Sequence, residues 1–187
     1  MDYSKDILEY INLEKKILDS LDVSAINEMM QAILEAYQQE KRIYIFGNGG
    51  SSATASHYQN DFNKGLSENV QKKFNMVCLN NDLPTIMAIA NDISFDEVFR
   101  YQLQGRIQPG ELVIAISGSG NSANVINAVE YAKEQGNKVI GLCGYSGGKL
   151  KELADIPVHV DINNMQVVED VHMILDHLMV TVFKNYI

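Results

Sequence analysis

A chain of 187 residues, 46% hydrophobic and 21% charged, can bury a sizeable single core and has the composition of an ordinary soluble globular protein. Its net charge of −9 excludes nucleic acid as the main partner, since a phosphate backbone needs clustered Lys and Arg. A small phosphorylated ligand is not excluded, because a few backbone N–H groups can hold one phosphate.

The first residues, MDYSKDILEY, are charged where a signal peptide has its apolar core. No apolar run approaches the ~20 residues of a membrane span. The expectation is a cytoplasmic protein with no membrane partner. Apolar residues Ile7, Leu8, Ile11, Leu13, Ile17 and Leu18 recur at helical spacing, and INEMMQAILEAY continues the pattern. The intervening SLDVS reads as a break, with Asp22 or Ser24 as a fresh N-cap.

From Arg42 the rhythm changes to short apolar runs: RIYIF, NMVCL, ELVIAIS, NKVIGLC and IPVHV. Helical stretches are expected between them at about 50–65, 83–103, 121–136 and 147–154, and a last one at about 164–185. Unbroken apolar strands separated by helices indicate a parallel sheet covered on both faces. The expected fold class is α/β: a three-layer, doubly wound, five-stranded parallel sheet. One domain is expected over 1–187, with 1–40 an N-terminal helical segment for oligomer packing and 41–187 the α/β core. Cys78 and Cys143 lie inside apolar runs and read as buried, reduced thiols. His159 reads as a strand residue.

Ligands of such folds bind outside the carboxyl ends of the strands. Two loops there are rich in Gly and Ser: GNGGSS (47–52) and SGSGNS (117–122). Glycine allows close backbone approach, serine adds hydroxyl donors, and the following helix contributes unpaired N–H groups. Neither loop ends in the Gly-Lys-Ser/Thr of an NTP-binding loop. The second contains G-x-G-x-x-A at Gly118, Gly120 and Ala123, but the next strand ends GLCGYSGG without the acid that holds a ribose. A phosphate-bearing small molecule suits both loops; a dinucleotide and purely structural turns remain the alternatives.

GNGGSS with its following His, and AISGSGNSANVINAVEYAKEQGNKVIGLCGYSGGKL, resemble the sugar isomerase (SIS) domain. Within it the chain is similar to the phosphoheptose isomerases, and the likeness covers nearly all of it. The resemblance implies conversion of sedoheptulose 7-phosphate to D-glycero-D-manno-heptose 7-phosphate by a homotetramer with sites between subunits. It also implies substrate contacts at Asn48, Gly49, Gly50, Asn91 and Asp92, and a phosphate loop at Ser117, Gly118, Ser119 and Ser122. Asp92 could instead cap a following helix. Gly118 stands where the family usually has Thr, and Gln166 where it has Asp. The arginine often found after the catalytic carboxylate is missing, with Lys64 nearby in sequence.

Four ionisable residues form the remaining constellation. His57 and Asp61 share a helical face, and Glu169 and His177 are two turns plus about 80° apart on the last helix. Two imidazoles and two carboxylates suit Zn²⁺, although a histidine on an apolar helix is commonly a core or interface residue. The resemblance implies a zinc ligand at each of His57, Asp61, Glu169 and His177, with Asp61 in place of Glu and Glu169 in place of Gln. It also places Glu169 and Asp61 at the substrate. Asp61 is then the expected base and His177 the acid or second base. His172 matches a histidine common in that helix and receives no role. Two other readings remain open: a non-catalytic relative resembling the replication initiator-associating factor, which has lost the carboxylate and last histidine, and an isomerase of another phosphosugar.

Overall fold

The computed structural model describes residues 1–68 and 70–187. Helices α1 (Ser4–Asp19) and α2 (Val23–Gln38) come first. Asp22 separates them, its carboxylate accepting the N–H groups of Ser24 at 2.9 Å and Ala25 at 3.2 Å, which satisfies two otherwise unpaired donors of α2. Then follow β1 (Ile43–Gly47), α3 (Gly50–Asn60) and a π-helical turn over Asp61–Leu66 that continues α3 without a break. After β2 (Met76–Cys78) comes α4 (Leu83–Asp92), capped by Asp82.

A single helix over 83–103 is not what forms. Ile93 and Ser94 leave the helical region, with Ser94 extended at φ −172° and ψ 160°, and both N–H groups close on the carbonyl of Ile89. A short 3₁₀ turn at Phe95–Glu97 and α5 (Arg100–Leu103) follow. The break turns Val98, Phe99 and Leu103 into the core while Ile93 and Phe95 stay exposed. Burial, not a Gly or Pro, ends the helix. The rest alternates regularly: β3 (Leu112–Ser117), α6 (Ala123–Glu134), β4 (Lys138–Cys143), α7 (Gly148–Leu153), β5 (Ile156–His159) and α8 (Met165–Phe183).

The five strands are all parallel, in the order β2-β1-β3-β4-β5. Alternate side chains feed two cores. Ile43, Ile45, Ile114, Ile116, Ile140 and Leu142 face α2, α3 and α8, whereas Tyr44, Phe46, Val113, Ala115, Val139 and Cys143 face α4, α5, α6 and α7. Burial on both faces explains why the strands read as unbroken apolar runs. Both cysteines are free and buried, and burial pushes the Cys143 thiol up to about 11. Among the described residues no helix is long and apolar enough to cross a membrane.

The order reverses between β1 and β3, so α3 leaves on one face and α6 on the other. That parting opens a crevice at the carboxyl ends of the strands. The loop after β3 is locked to the loop after β4: Gly118 and Gly120 carbonyls accept the N–H groups of Gly144 and Leu150, each at 2.9 Å. Gly120 has φ +68°, and a Cβ there would overlap the carbonyl oxygen of Gly147. Gly120→Ala therefore combines backbone strain with a backbone clash, and should cost at least ~2 kcal/mol in urea unfolding; a neutral result would show that the two loops separate freely.

Candidate active site

The heads of α3 and α6 converge on a cleft of about 210 Å³. Asn48, Gly49 and Gly50 line one side, and Ser117, Gly118, Ser119 and Ser122 the other, with Glu169 and Met165 of α8 across the mouth. Neither helix has a side-chain cap, so their first N–H groups are free to meet an anion. The Ser117 and Ser122 hydroxyls lie 3.1 Å apart, and both add donors. Asn48 exchanges two amide hydrogen bonds with Asn124, at 2.8 and 2.9 Å, which ties the two helix heads together. Asn124 is buried and was not singled out from the sequence.

Gly118 has a local explanation. A Cβ there would come within 2.5 Å of the Met165 sulfur, so the methionine occupies the space a larger residue would need. Glu169 lies over the head of α3, its carboxylate filling the space a Cβ on Gly50 would take. Asn91 and Asp92 do not line this cleft. They end α4, exposed, with Asn91 donating to the Asp92 carboxylate at 2.8 Å. Asp92 therefore does not cap a following helix.

Further along α3 and α8 lies a second group. His57 Nε2 is 3.1 Å from His177 Nε2, 3.6 Å from Asp61 Oδ2 and 3.8 Å from Asp176 Oδ2. One donor atom from each of these four residues lies within 4.8 Å of all the others. Glu169 is not in the group; Asp176 is there instead. Asp61 opens the π-helical turn, and such turns recur at functional sites. Its other oxygen accepts the Asn60 amide at 3.0 Å.

The donor set fits a divalent cation. Tetrahedral Zn²⁺ with ligand bonds of ~2.0–2.1 Å has donor–donor edges of about 3.3 Å, close to the spacings here. Asp176 is completely buried, and neither carboxylate oxygen has a hydrogen-bond partner. Burial and then the neighbouring Asp61 charge push its pKa up to about 7. A buried acid without a hydrogen-bond partner is a group that a bound cation could satisfy.

His172, also on α8, is 1% exposed and neither ring nitrogen has a partner. Burial pushes its pKa down to about 4 from 6.5. Between those values the unfolded chain takes a proton that the folded chain refuses, so this residue removes stability as pH falls from about 6.5 to about 4. Asp176 acts oppositely, removing stability as pH rises from 3.8 to about 7. His172→Leu should therefore stabilise progressively more on acidification, by up to ~1.4 kcal/mol per pH unit, in denaturant titrations at pH 4.5, 5.5 and 6.5. A pH-independent difference would mean that the imidazole has a hidden partner.

With this geometry, the likeness to known proteins is specific. The SIS domain family matches residues 9–144. A phosphoheptose isomerase of Aliarcobacter butzleri is 32% identical over 181 residues, covering 97% of this chain and 95% of the relative. One from Nitratiruptor is 33% identical over 175 residues, covering 94% and 92%. The solved structure of a phosphoheptose isomerase from Neisseria gonorrhoeae superposes with a TM-score of 0.87 at 29% identity, covering 97% of this chain and 96% of that one.

Proposed function

The chain belongs to the SIS domain family and, within it, to the phosphoheptose isomerases, and from that premise we propose that it converts sedoheptulose 7-phosphate to D-glycero-D-manno-heptose 7-phosphate. One observation carries the reading. The cleft at the heads of α3 and α6 and the His57–Asp61–His177 group are joined by α3, which opens at the first and carries two members of the second. Gly50 and His57 are seven residues apart, or ~10.5 Å at ~1.5 Å per residue. A seven-carbon sugar with its phosphate extends about 10 Å, from C–C bonds of ~1.5 Å. A phosphate held at Ser117, Ser119 and Ser122 would thus bring the carbonyl end of the sugar to the imidazoles.

Isomerisation moves one proton between adjacent carbons through an enediol and a second between the two oxygens. Without a bound ion, Asp61 takes the carbon-bound proton and the exposed His177 serves the oxygens; a positioned base of this kind contributes ~10²–10⁴-fold. His57, Asp61 and His177 would hold Zn²⁺ with one carboxylate of α8. When bound, that ion would polarise the carbonyl and stabilise developing negative charge. Asn48, Gly49, Gly50, Asp61 and Glu169 would contact the sugar, and Asn91 and Asp92, outside the cleft of one chain, would do so only from a neighbouring subunit.

Incubation of the protein with sedoheptulose 7-phosphate should yield the aldose by NMR. Asp61→Asn, which keeps shape and removes charge, should cost ~10²-fold or more in kcat. Ser119→Ala should raise KM more than it lowers kcat, because the phosphate is held similarly before and in the transition state. Absence of turnover with every ketose phosphate tried, with and without Zn²⁺, would transfer the chain to a binding role.

We also propose a homotetramer. The face of α1 exposes Ile7, Leu8 and Ile11, with Tyr3 exposed just before it, and a separate surface around α4 exposes Leu83, Met87, Ile93 and Phe95. A tetramer with three two-fold axes needs at least two different self-complementary patches, and two apolar patches are available. Light scattering should give about four times 20.9 kDa, and Ile7→Asp with Ile11→Asp should reduce it. A wild-type monomer at micromolar concentration would remove the proposal.

A further inference from the structure

We propose that the α8 carboxylate completing the cation site of this chain is Asp176, and that Glu169 is not a ligand. The inference rests on the cation reading above and concerns which residue closes the shell.

Seven residues separate Glu169 from Asp176. On an α-helix that is nearly two full turns, within about 20° of the same stripe but ~10.5 Å further along. The two acids therefore point the same way and reach different places. Glu169 reaches Gly50 at the head of α3, whereas Asp176 reaches His57, seven residues deeper on that same helix, at 3.8 Å. One ion bound between His57 and His177, 3.1 Å apart, is within reach of Asp176 and beyond Glu169 of the same chain.

Charge gives an independent argument. Asp176 is completely buried and both its oxygens lack partners, a state that costs stability unless a cation compensates it. Two carboxylates, Asp61 and Asp176, with two neutral imidazoles balance a divalent ion. Adding Glu169 as a third would leave excess negative charge in the shell and leave Asp176 still close beside it. The nitrogen and oxygen donors, with no thiolate, suit Zn²⁺, Co²⁺ or Fe²⁺ rather than Cu⁺.

The test reads metal, not turnover. The full-length protein and its Asp176→Asn, Asp176→Leu and Glu169→Gln variants are stripped, reloaded with Zn²⁺ and assayed by elemental analysis. Co²⁺ titration followed in the visible then reports the coordination shell. Both Asp176 variants should bind at least ~10²-fold more weakly and lose the tetrahedral Co²⁺ bands, while Glu169→Gln keeps one ion per chain and an unchanged spectrum. Without metal, both Asp176 variants should melt at or above the wild-type temperature, since each removes an unpartnered buried charge. The assignment is overturned if Glu169→Gln loses the ion while the Asp176 variants keep it, if wild type binds none, or if the metal-free Asp176 variants unfold, which would make the residue structural. A protein that holds zinc through Asp176 but turns over no sugar phosphate would sink the isomerase reading and leave this one standing.

Discussion

The parting of α3 and α6 to opposite faces of the sheet sets the position of everything else in the site. Because β1 and β3 are neighbours while their helices diverge, a gap opens at the carboxyl ends of these two strands. The gap is kept open and narrow by small residues. Gly47 must lack a side chain, since a Cβ would come within 2.7 Å of Ser51 Cβ and 2.8 Å of the Ile116 carbonyl. Across the gap, the paired amides of Asn48 and Asn124 hold the two helix heads at a fixed distance. The backbone groups and serine hydroxyls that line the cleft therefore sit on rigid elements and would need little ordering to meet an anion.

The second axis of the site is the pairing of α3 with α8. Gly50 lies against Glu169, and His57 against Asp176 and His177, so the two helices run parallel in the same seven-residue register. Between these contacts the buried Tyr58 hydroxyl donates to the His172 carbonyl at 3.1 Å, which fixes the register from inside the core. Beyond them the π-helical turn is anchored to the sheet, because Asn63 pairs with both the N–H and the carbonyl of Met76, at 2.9 and 2.8 Å. Asp61 is thereby held from the β2 side and His177 from the α8 side. The His57–Asp61–Asp176–His177 group is a meeting point of two separately anchored elements.

The sheet was legible in the sequence because the central strands β1, β3 and, after Lys138, β4 are buried on both faces and must be apolar almost throughout. The two Gly/Ser loops were legible because close backbone approach and hydroxyl donors restrict the residue types that fit. The division of the 83–103 segment was not legible. Its cause, the burial of Val98 and Phe99 against the sheet, is tertiary, and Ile93–Ser94 carries no local breaker. Asp176 went unweighed for a related reason: its helix already carries Glu169, Asp170, His172 and His177, and one more acid beside His177 looks like an exposed interruption. Its place in the stripe MILDHLMV, with Leu175 and Met179 buried around it, was the available signal.

Helix α8 concentrates this tension between stability and chemistry. Val167, Val168, Val171, Leu175, Met179 and Phe183 bury its inner stripe in the core, and these residues hold the helix in place. His172 and Asp176 interrupt that stripe with polar groups that make no full hydrogen bond among the described residues. Two such groups in one helix are tolerable only because the apolar contacts around them outweigh the loss. Their effects differ in kind. An imidazole buried neutral needs no counterion at neutral pH, so His172 is a packing residue with a polar edge. The Asp176 carboxyl, pushed up to about 7 by burial and then by the Asp61 charge, needs a partner once it ionises, and His57 Nε2 lies 3.8 Å from it. The cost is local, fixed by rigid helices, and grows as the acid ionises.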